Sequence, residues 1–155
     1  MTNTRTGVWL LGIQSIEFPE DEQAVAEQGE IEAKGELSDS RKFKVFPVRW
    51  PGKSRFLSLI RKGDTIIPIN EEHSARHVEE AACFLGMRKT KSRRGNPVTY
   101  LYLERSRYPN SVPWKVFKPH CASIGLKLRR EVVSREITNP LRAQQVVAFL
   151  STKKS

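Results

Sequence analysis

Residues 88–103 read RKTKSRRGNPVTYLYL, so a basic run, a turn signal and a strand pattern follow one another directly. Five of the first seven residues are Lys or Arg. The Gly-Asn pair at 95–96 consists of residue types that accept the positive φ angles of a tight hairpin turn. β-Branched and aromatic residues in the run from Val98 to Leu103 are typical of a strand covered on both faces. We therefore predict a β-hairpin with a basic tip, whose arms run from Met87 to Lys91 and from Val98 to Leu103.

Upstream of the hairpin, apolar alternation predicts a strand-rich half that forms a curved sheet or small barrel. The expected strands cover residues 8–18, 30–36 (the weakest), 43–50 and 65–69. The next segment has apolar residues at helical spacing, and Asn70 is a suitable cap, so a helix is predicted from Glu71 to Leu85.

Downstream of the hairpin, helices alternate with strands. Amphipathic spacing predicts a helix from Trp114 to Ile124, and Leu126 to Val133 is predicted as a strand with a basic outer face. Thr138 or Asn139 caps a last helix, with Pro140 in its first turn. The fold class predicted from these patterns is α+β.

The chain length of 155 residues suits one domain, and no Pro-, Gly- or Ser-rich linker divides it. We predict one compact unit over residues 1–155. An alternative partition separates a strand-rich part, 1–70, from a basic part of helices and strands, 71–155.

Charge is distributed unevenly along the chain, whose net charge is +10. Residues 1–40 hold two basic and nine acidic residues, whereas residues 41–155 hold 25 basic and eight acidic residues. A large basic field attracts polyanions at long range. The predicted partner is therefore DNA or RNA, or a nucleoprotein complex. The alternative partner is another protein, with the chain acting as an interaction subunit or inhibitor whose acidic segment mimics nucleic acid.

Guanidinium groups bind phosphates bidentately and lysines act as mobile point charges. The predicted interface combines the hairpin cations, the loop that follows and the basic strand: Arg88, Lys89, Lys91, Arg93, Arg94, Arg105, Arg107, Tyr108, Lys127, Arg129 and Arg130. Tyr108 is the main candidate for stacking on a base, and Tyr100, Tyr102 and Trp114 would also stack if exposed. A helix followed by a basic hairpin is also the local order of a winged-helix module.

A catalytic alternative rests on the sequence Glu30-Ile31-Glu32-Ala33-Lys34. On a strand, Glu32 and Lys34 point to the same side, and this resembles the second half of the motif of restriction-like nucleases. The resemblance implies Mg²⁺, with Glu17 or Asp21 as the further carboxylate. Without that activity we expect no cofactor and no catalysis.

Histidine and cysteine give weaker signals. His73 and His77 on the predicted helix, with His120 and Cys121, would form a zinc site only if the two helices met, so no metal site is expected. Cys83 and Cys121 are too few for a disulfide framework and are expected to be reduced. The chain shows no signal-peptide or membrane-spanning pattern, so a soluble cytoplasmic protein is predicted.

Overall fold

Eight strands form one mixed sheet within the part of the chain that the structure, a computed structural model, describes. The described residues are 5–13, 27–29, 31, 33, 43–51, 55–70, 76–91, 95, 97–106, 110–128 and 134–152. The strands are β1 (Val8–Ile13), β2 (Phe43–Pro51), β3 (Thr65–Asn70), β4 (His77–Glu79), β5 (Ala82–Lys91), β6 (Pro97–Ser106), β7 (Ser111–Pro113) and β8 (Arg135–Glu136). The helices with complete bounds are α1 (Trp114–Ser123), α2 (Pro140–Thr152) and a 3₁₀ helix (Arg55–Leu59). Residues 27–29, 31 and 33 are also helical.

The main strand order is β2-β6-β5-β3-β1-β8, and β4 pairs with both β3 and β7. Strands β1 and β3 run parallel, with Val8 opposite Thr65. Strands β2, β6 and β5 form an antiparallel meander, in which the central strand β6 pairs along its length with both neighbours. The sheet and helices form a single compact unit of the predicted α+β class, and the sheet is open rather than a barrel.

Two regions share this sheet. The helix-covered part consists of β1, β3, β4, β7 and β8 with α1 and α2. Its core packs Leu10, Ile67 and Ile69 against the buried faces of α1 and α2. The basic ribbon consists of β2, β6 and β5. A second cluster joins the two regions on the opposite face, where Trp9, Leu11 and Ile66 pack with Phe84, Leu101 and Leu103 under Leu57 and Ile60.

The predicted helix from Glu71 to Leu85 is wrong where the structure describes it. Residues 77–79 form β4 and β5 begins at Ala82. Burial has period two, because Val78 is buried between half-buried neighbours and exposed Cys83 separates buried Ala82 and Phe84. Pairing of Val78 with Ile69 and Val112 overrides the helical spacing of the apolar residues.

Two more predicted strands are also wrong where they are described. In 30–36, Ile31 and Ala33 are helical. In 126–133, Leu126 and Leu128 are buried on either side of exposed Lys127, which is the expected alternation, but residues 126–128 are not in a strand. Arg135–Glu136 pairs with β1 instead, at Leu10 and Trp9.

Most other predicted elements are confirmed. The strand from residue 8 extends to Ile13, and residues 14–18 lie outside the described residues. The strands at 43–50 and 65–69 and the helices after Trp114 and Asn139 form as predicted. Asn139 Oδ1 accepts a hydrogen bond from the Arg142 amide at 3.0 Å and so caps α2.

Candidate nucleic-acid interface

The two arms of the predicted hairpin are confirmed as β5 and β6, and residues 92–94 and 96 of its tip lie outside the described residues. The two strands pair from Cys83 opposite Glu104 to Lys91 opposite Pro97. The register shifts between Phe84 and Gly86, as expected for a β-bulge, which increases local twist. Gly95 has a φ angle of 83°, a value that favours glycine in the chain between the strands.

The hairpin extends beyond the helix-covered part of the sheet. Strand β3 pairs with β5 only through Ala82 and Cys83. The last backbone contacts on that side join Phe84 to Gly63 and Asp64. Beyond Phe84, no strand among the described residues pairs with this edge of β5. The distal half of the ribbon therefore projects as three strands.

Cations occur along the whole ribbon. Its described strands contain six Lys and Arg residues against one acid, Glu104: Lys44, Arg49, Arg88, Lys89, Lys91 and Arg105. In the register, Tyr100 stands between Arg49 and Arg88, and Lys44 lies opposite Arg105. From the row of Lys91 to the row of Arg105 is eight residues of β6, or about 27 Å. Duplex DNA carries one charge per ~1.7 Å of axis, so this length would face many phosphates.

The two faces of the ribbon differ. Successive strand residues point to opposite faces, so Lys89 and Lys91 share one face and Arg88 lies on the other. Both lysines are exposed, whereas Arg88 is half-buried. Arg88 lies in the row of Tyr100, which is fully buried in a cluster with Val98, Tyr102, Leu85 and Ala33. The lysine face is therefore the more accessible of the two.

Tyr100 and Tyr102 do not meet the condition for stacking on bases, because these rings are only 0% and 3% exposed. Trp114 is half-buried, and the Arg76 guanidinium lies 4.9 Å from the centre of its ring. A base would have to displace that guanidinium from this face. Tyr108 lies outside the described residues.

The second half of the predicted footprint is separate from the ribbon. Lys127 is exposed, and its carbonyl accepts a hydrogen bond of 3.4 Å from Arg135 of β8. Strand β8 lies three strand spacings from β5, or about 14 Å, on the far side of β3 and β1. The structure therefore does not bring Lys127 together with Lys89 and Lys91.

The other predicted site residues lie outside the described residues. For the nucleic-acid interface these are Arg93, Arg94, Arg107, Arg129 and Arg130, and the side chain of Arg105 is also not described although its backbone belongs to β6. For the nuclease alternative they are Glu17, Asp21, Glu32 and Lys34. The strand on which the nuclease geometry depends is replaced by helical residues at Ile31 and Ala33. On a helix, residues two apart do not face each other.

Metal-ligating groups do not cluster in the described ranges, where no three His, Cys, Asp or Glu residues could hold an ion together. His77 belongs to β4 rather than to a helix, and His73 lies outside these ranges. The His120 ring stacks on Phe149 with ring centres 3.8 Å apart, and Cys121 is fully buried in the core. The ring of His120 and the thiol of Cys121 thus belong to the packing of α1 against α2.

Sequence reasoning missed an ion pair in the helix-covered part. The Asp64 carboxylate accepts hydrogen bonds from Arg5 at 2.6 and 3.2 Å, from Trp9 Nε1 at 3.1 Å and from the Arg61 amide at 2.9 Å. The only sign of this ion pair in the sequence was one acidic residue between Gly63 and the β-branched residues of β3. Arg5 and Trp9 lie around the start of β1, and Arg61 lies in the turn before β3. Asp64 therefore ties these two parts of the chain together.

Protonation of Asp64 is affected by these contacts. Burial of the carboxylate acts to raise its pKa, but the hydrogen bonds from Arg5, Arg61 and Trp9 and the positive charge of Arg5 outweigh this. The net result is a pKa below the ordinary value of 3.8. The carboxylate is therefore charged at neutral pH and has the character of a structural anion rather than of a general acid.

Comparison with known proteins adds no assignment: no protein-family model, curated protein or solved structure matches this chain significantly. The helices in the described ranges are too short or too polar to cross a bilayer.

Proposed function

We propose that the protein binds nucleic acid without catalysis and that the basic ribbon contacts the phosphate backbone. The observation that carries this proposal is the exposed pair Lys89 and Lys91 on a ribbon that projects beyond the rest of the sheet. Two neighbouring, exposed cations on one face of a strand can contact a polyanion. No cofactor is needed for this function.

Phosphate contacts, rather than contacts with bases, would supply most of the affinity. The buried tyrosines of β6 offer no stacking surface, whereas lysine recognises a phosphate by its charge. Each phosphate that a cation neutralises releases counterions, so the affinity depends on salt.

The test is a binding titration of the whole protein with four labelled 20-nucleotide probes, single- and double-stranded DNA and RNA, at several salt concentrations. The double variant Lys89→Gln/Lys91→Gln should weaken binding, and with duplex DNA it should reduce the slope of log affinity against log salt by up to about 1.8. A matched control is Lys115→Gln/Lys127→Gln, which removes two exposed lysines outside the ribbon and should leave the slope unchanged.

Three results would count against the proposal: no probe bound by the wild type or any variant at low salt, an unchanged slope in the ribbon variant, or an equal change in the control. The third result would show that the whole basic surface acts without a defined interface. Cleavage of a probe in Mg²⁺ would instead favour the nuclease alternative.

The proposed function also suggests the cellular compartment of the protein. Both cysteines are unpaired, as the sequence predicts. A basic protein with reduced thiols suits the cytoplasm, where nucleic acid is present and disulfides are rare. We therefore keep a cytoplasmic location as part of the proposal.

A further inference from the structure

One edge of β5 is open along the distal half of the basic ribbon. The N–H group of Phe84 donates a hydrogen bond of 2.8 Å to the Asp64 carbonyl, and the Phe84 carbonyl accepts one of 2.8 Å from the Gly63 amide. The backbone groups of Phe84 therefore point away from β6. Beyond Phe84, this edge pairs with no further strand within the described ranges. Unpaired backbone groups at a sheet edge are a template for another extended chain.

The alternation of hydrogen bonds between β5 and β6 shows which residues have backbone groups at this edge. Opposed residues of antiparallel strands alternate between hydrogen-bonded and non-hydrogen-bonded pairs. Phe84 and Leu103 form a non-hydrogen-bonded pair, because Phe84 bonds to the other side. The next residue of β6, Tyr102, opposes Gly86 after the bulge, so that pair is hydrogen-bonded. Continued along β6, this alternation directs to the open edge the N–H and C=O groups of Met87, Lys89 and Lys91.

The prolines of the ribbon strands support this assignment. A proline has no N–H group and cannot complete a hydrogen-bonded pair. The alternation places all three prolines in non-hydrogen-bonded pairs, and the opposite alternation would leave three partner carbonyls without a donor. The pairs are Pro97 with Lys91, Pro47 with Tyr102 and Pro51 with Val98.

Positive charge and open backbone groups coincide at two of these positions. Lys89 and Lys91 are exposed and share one face of the strand. Met87, on the same face, packs against the cluster that contains Leu101 and Leu103. On this face, the side chains of an added strand would lie directly beside the lysines. Two acidic side chains at alternate positions would therefore form cross-strand ion pairs with Lys89 and Lys91.

An acidic polypeptide fits this edge better than nucleic acid or a second copy of the chain. The edge offers both donors and acceptors, as a polypeptide strand does, whereas phosphate oxygens only accept hydrogen bonds. A second copy that paired through β5 would bring the lysines of the two copies together, and like charges opposite each other are destabilising. Lysine on an edge strand is a common protection against such self-association.

We propose that the open edge of β5 binds an extended acidic segment of a partner protein by strand addition, with Asp or Glu side chains paired to Lys89 and Lys91. The edge amides and carbonyls supply affinity, and the two lysines select acidic residues at alternate positions. This inference goes beyond the proposed function, in which nucleic acid uses the lysine side chains alone. The two partners compete for Lys89 and Lys91.

The first test uses the wild-type protein and a labelled synthetic peptide in which Glu alternates with Thr. Fluorescence anisotropy should show that the protein binds this peptide at low salt. The control peptide has the same sequence with a methyl group on every backbone amide, so it keeps its charge but cannot donate hydrogen bonds. Its affinity should be at least about tenfold lower.

Residue-resolved amide hydrogen exchange then locates the peptide on the protein. The amides of Met87, Lys89 and Lys91 should exchange rapidly in the free protein and at least about tenfold more slowly with the peptide bound. The amides of Arg88 and Thr90 face β6 in the same alternation, so they are internal controls and should change little.

Two variants separate backbone pairing from charge. Lys89→Gln removes only the charge and should weaken peptide binding about twofold. Lys89→Pro also removes the N–H group at the open edge, without breaking a hydrogen bond to β6, and should weaken peptide binding about fivefold more. Both variants should reduce binding of the DNA probe equally, because phosphate contact uses the charge alone.

The outcomes separate this inference from the proposed function. Equal binding of the two peptides, or unchanged exchange at Lys89 and Lys91, overturns strand addition. Binding of the DNA probe without binding of the acidic peptide overturns the inference and leaves the proposed function standing. Binding of the peptide without binding of any nucleic-acid probe supports the inference and overturns the proposed function. A dimer in sedimentation analysis that excludes the peptide would show that a second copy occupies the edge, and this also overturns the inference.

Discussion

The helix-covered part and the basic ribbon belong to one sheet but use charge in opposite ways. In the first, Arg5 is paired with Asp64, whose carboxylate also receives a hydrogen bond from buried Trp9. In the second, six cations share three strands with Glu104 alone. The charges of the first region are therefore part of its folded structure. Under the proposed function, the excess positive charge of the ribbon serves a nucleic-acid partner.

The largest expected contrast between the two regions is in thiol reactivity. Each region contains one cysteine, so the two thiols can be compared in the same protein. Cys83 of β5 is exposed and Cys121 of α1 is fully buried. Burial raises the pKa of the Cys121 thiol to about 12. Burial also raises the pKa of the Cys83 thiol, and the negative charges of Glu104 and Asp64 raise it further. If Cys121 reacts only after unfolding, the two alkylation rates should differ by at least about a thousandfold.

Alkylation with iodoacetamide, followed by mass spectrometry, measures this difference. Cys83→Ser should leave a folded protein with almost no reaction, and denaturant should restore one reactive thiol. Rapid alkylation of Cys121 in the native state would contradict the packing of α1.

The next largest effect concerns the core of the helix-covered part. Phe117 of α1 is fully buried, so Phe117→Ala should lower the free energy of unfolding by about 3–5 kcal/mol. Its neighbour Val116 is 41% exposed, and Val116→Ala should change that free energy by about 0.5 kcal/mol or less. Urea denaturation followed by circular dichroism measures both.

The ribbon provides the contrast for this measurement. Lys89→Gln/Lys91→Gln should also stay within about 0.5 kcal/mol of the wild type, because both side chains are exposed. Equal losses of unfolding free energy in Phe117→Ala and in this ribbon variant would show that the ribbon cations stabilise the fold. That result would contradict the different roles of charge in the two regions.

The smallest of the three effects concerns Asp64. Asp64→Ala leaves the Nε1–H group of buried Trp9 without its acceptor and should cost about 1–3 kcal/mol. Because the pKa of Asp64 is lowered by folding, the folded state binds fewer protons than the unfolded state in mild acid. Stability from this group is therefore present above its ordinary pKa of 3.8 and is lost as the pH falls through the lower, folded value.

Urea denaturation between pH 2 and pH 6 measures the pH effect. Asp64→Asn should flatten the acid limb of the stability curve, whereas Glu27→Gln, which neutralises an exposed acid, should not. A wild-type stability that stays level through this range would contradict the assigned role of Asp64.

Local patterns in the sequence predicted most of the elements, because their signals are short-range. The Gly-Asn turn and the β-branched, aromatic run after it predicted the hairpin, and Asn139-Pro140 predicted the start of α2. Residues 71–85 and 126–133 were assigned wrongly, because a helical or alternating pattern does not reveal whether another strand is available for pairing. Val78 found two strand partners, whereas Leu126 and Leu128 found none among the described residues.

The candidate interface was predicted in part. Lys89 and Lys91 are exposed as the basic run indicated, but the aromatic residues beside them are buried because β6 is the central strand of the ribbon and is covered on both faces. The separation of Lys127 from the ribbon could not be read from the sequence, since it depends on the order of strands in the sheet.

The sequence by itself determined the net charge, its concentration after residue 40 and the basic hairpin, because composition and turn chemistry are local properties. Tertiary structure alone decided which cations share a surface, since this depends on long-range pairing of β2, β6 and β5. It also decided where the helical residues around Gly29 pack, because that contact requires Tyr102, which is more than seventy residues away in the chain.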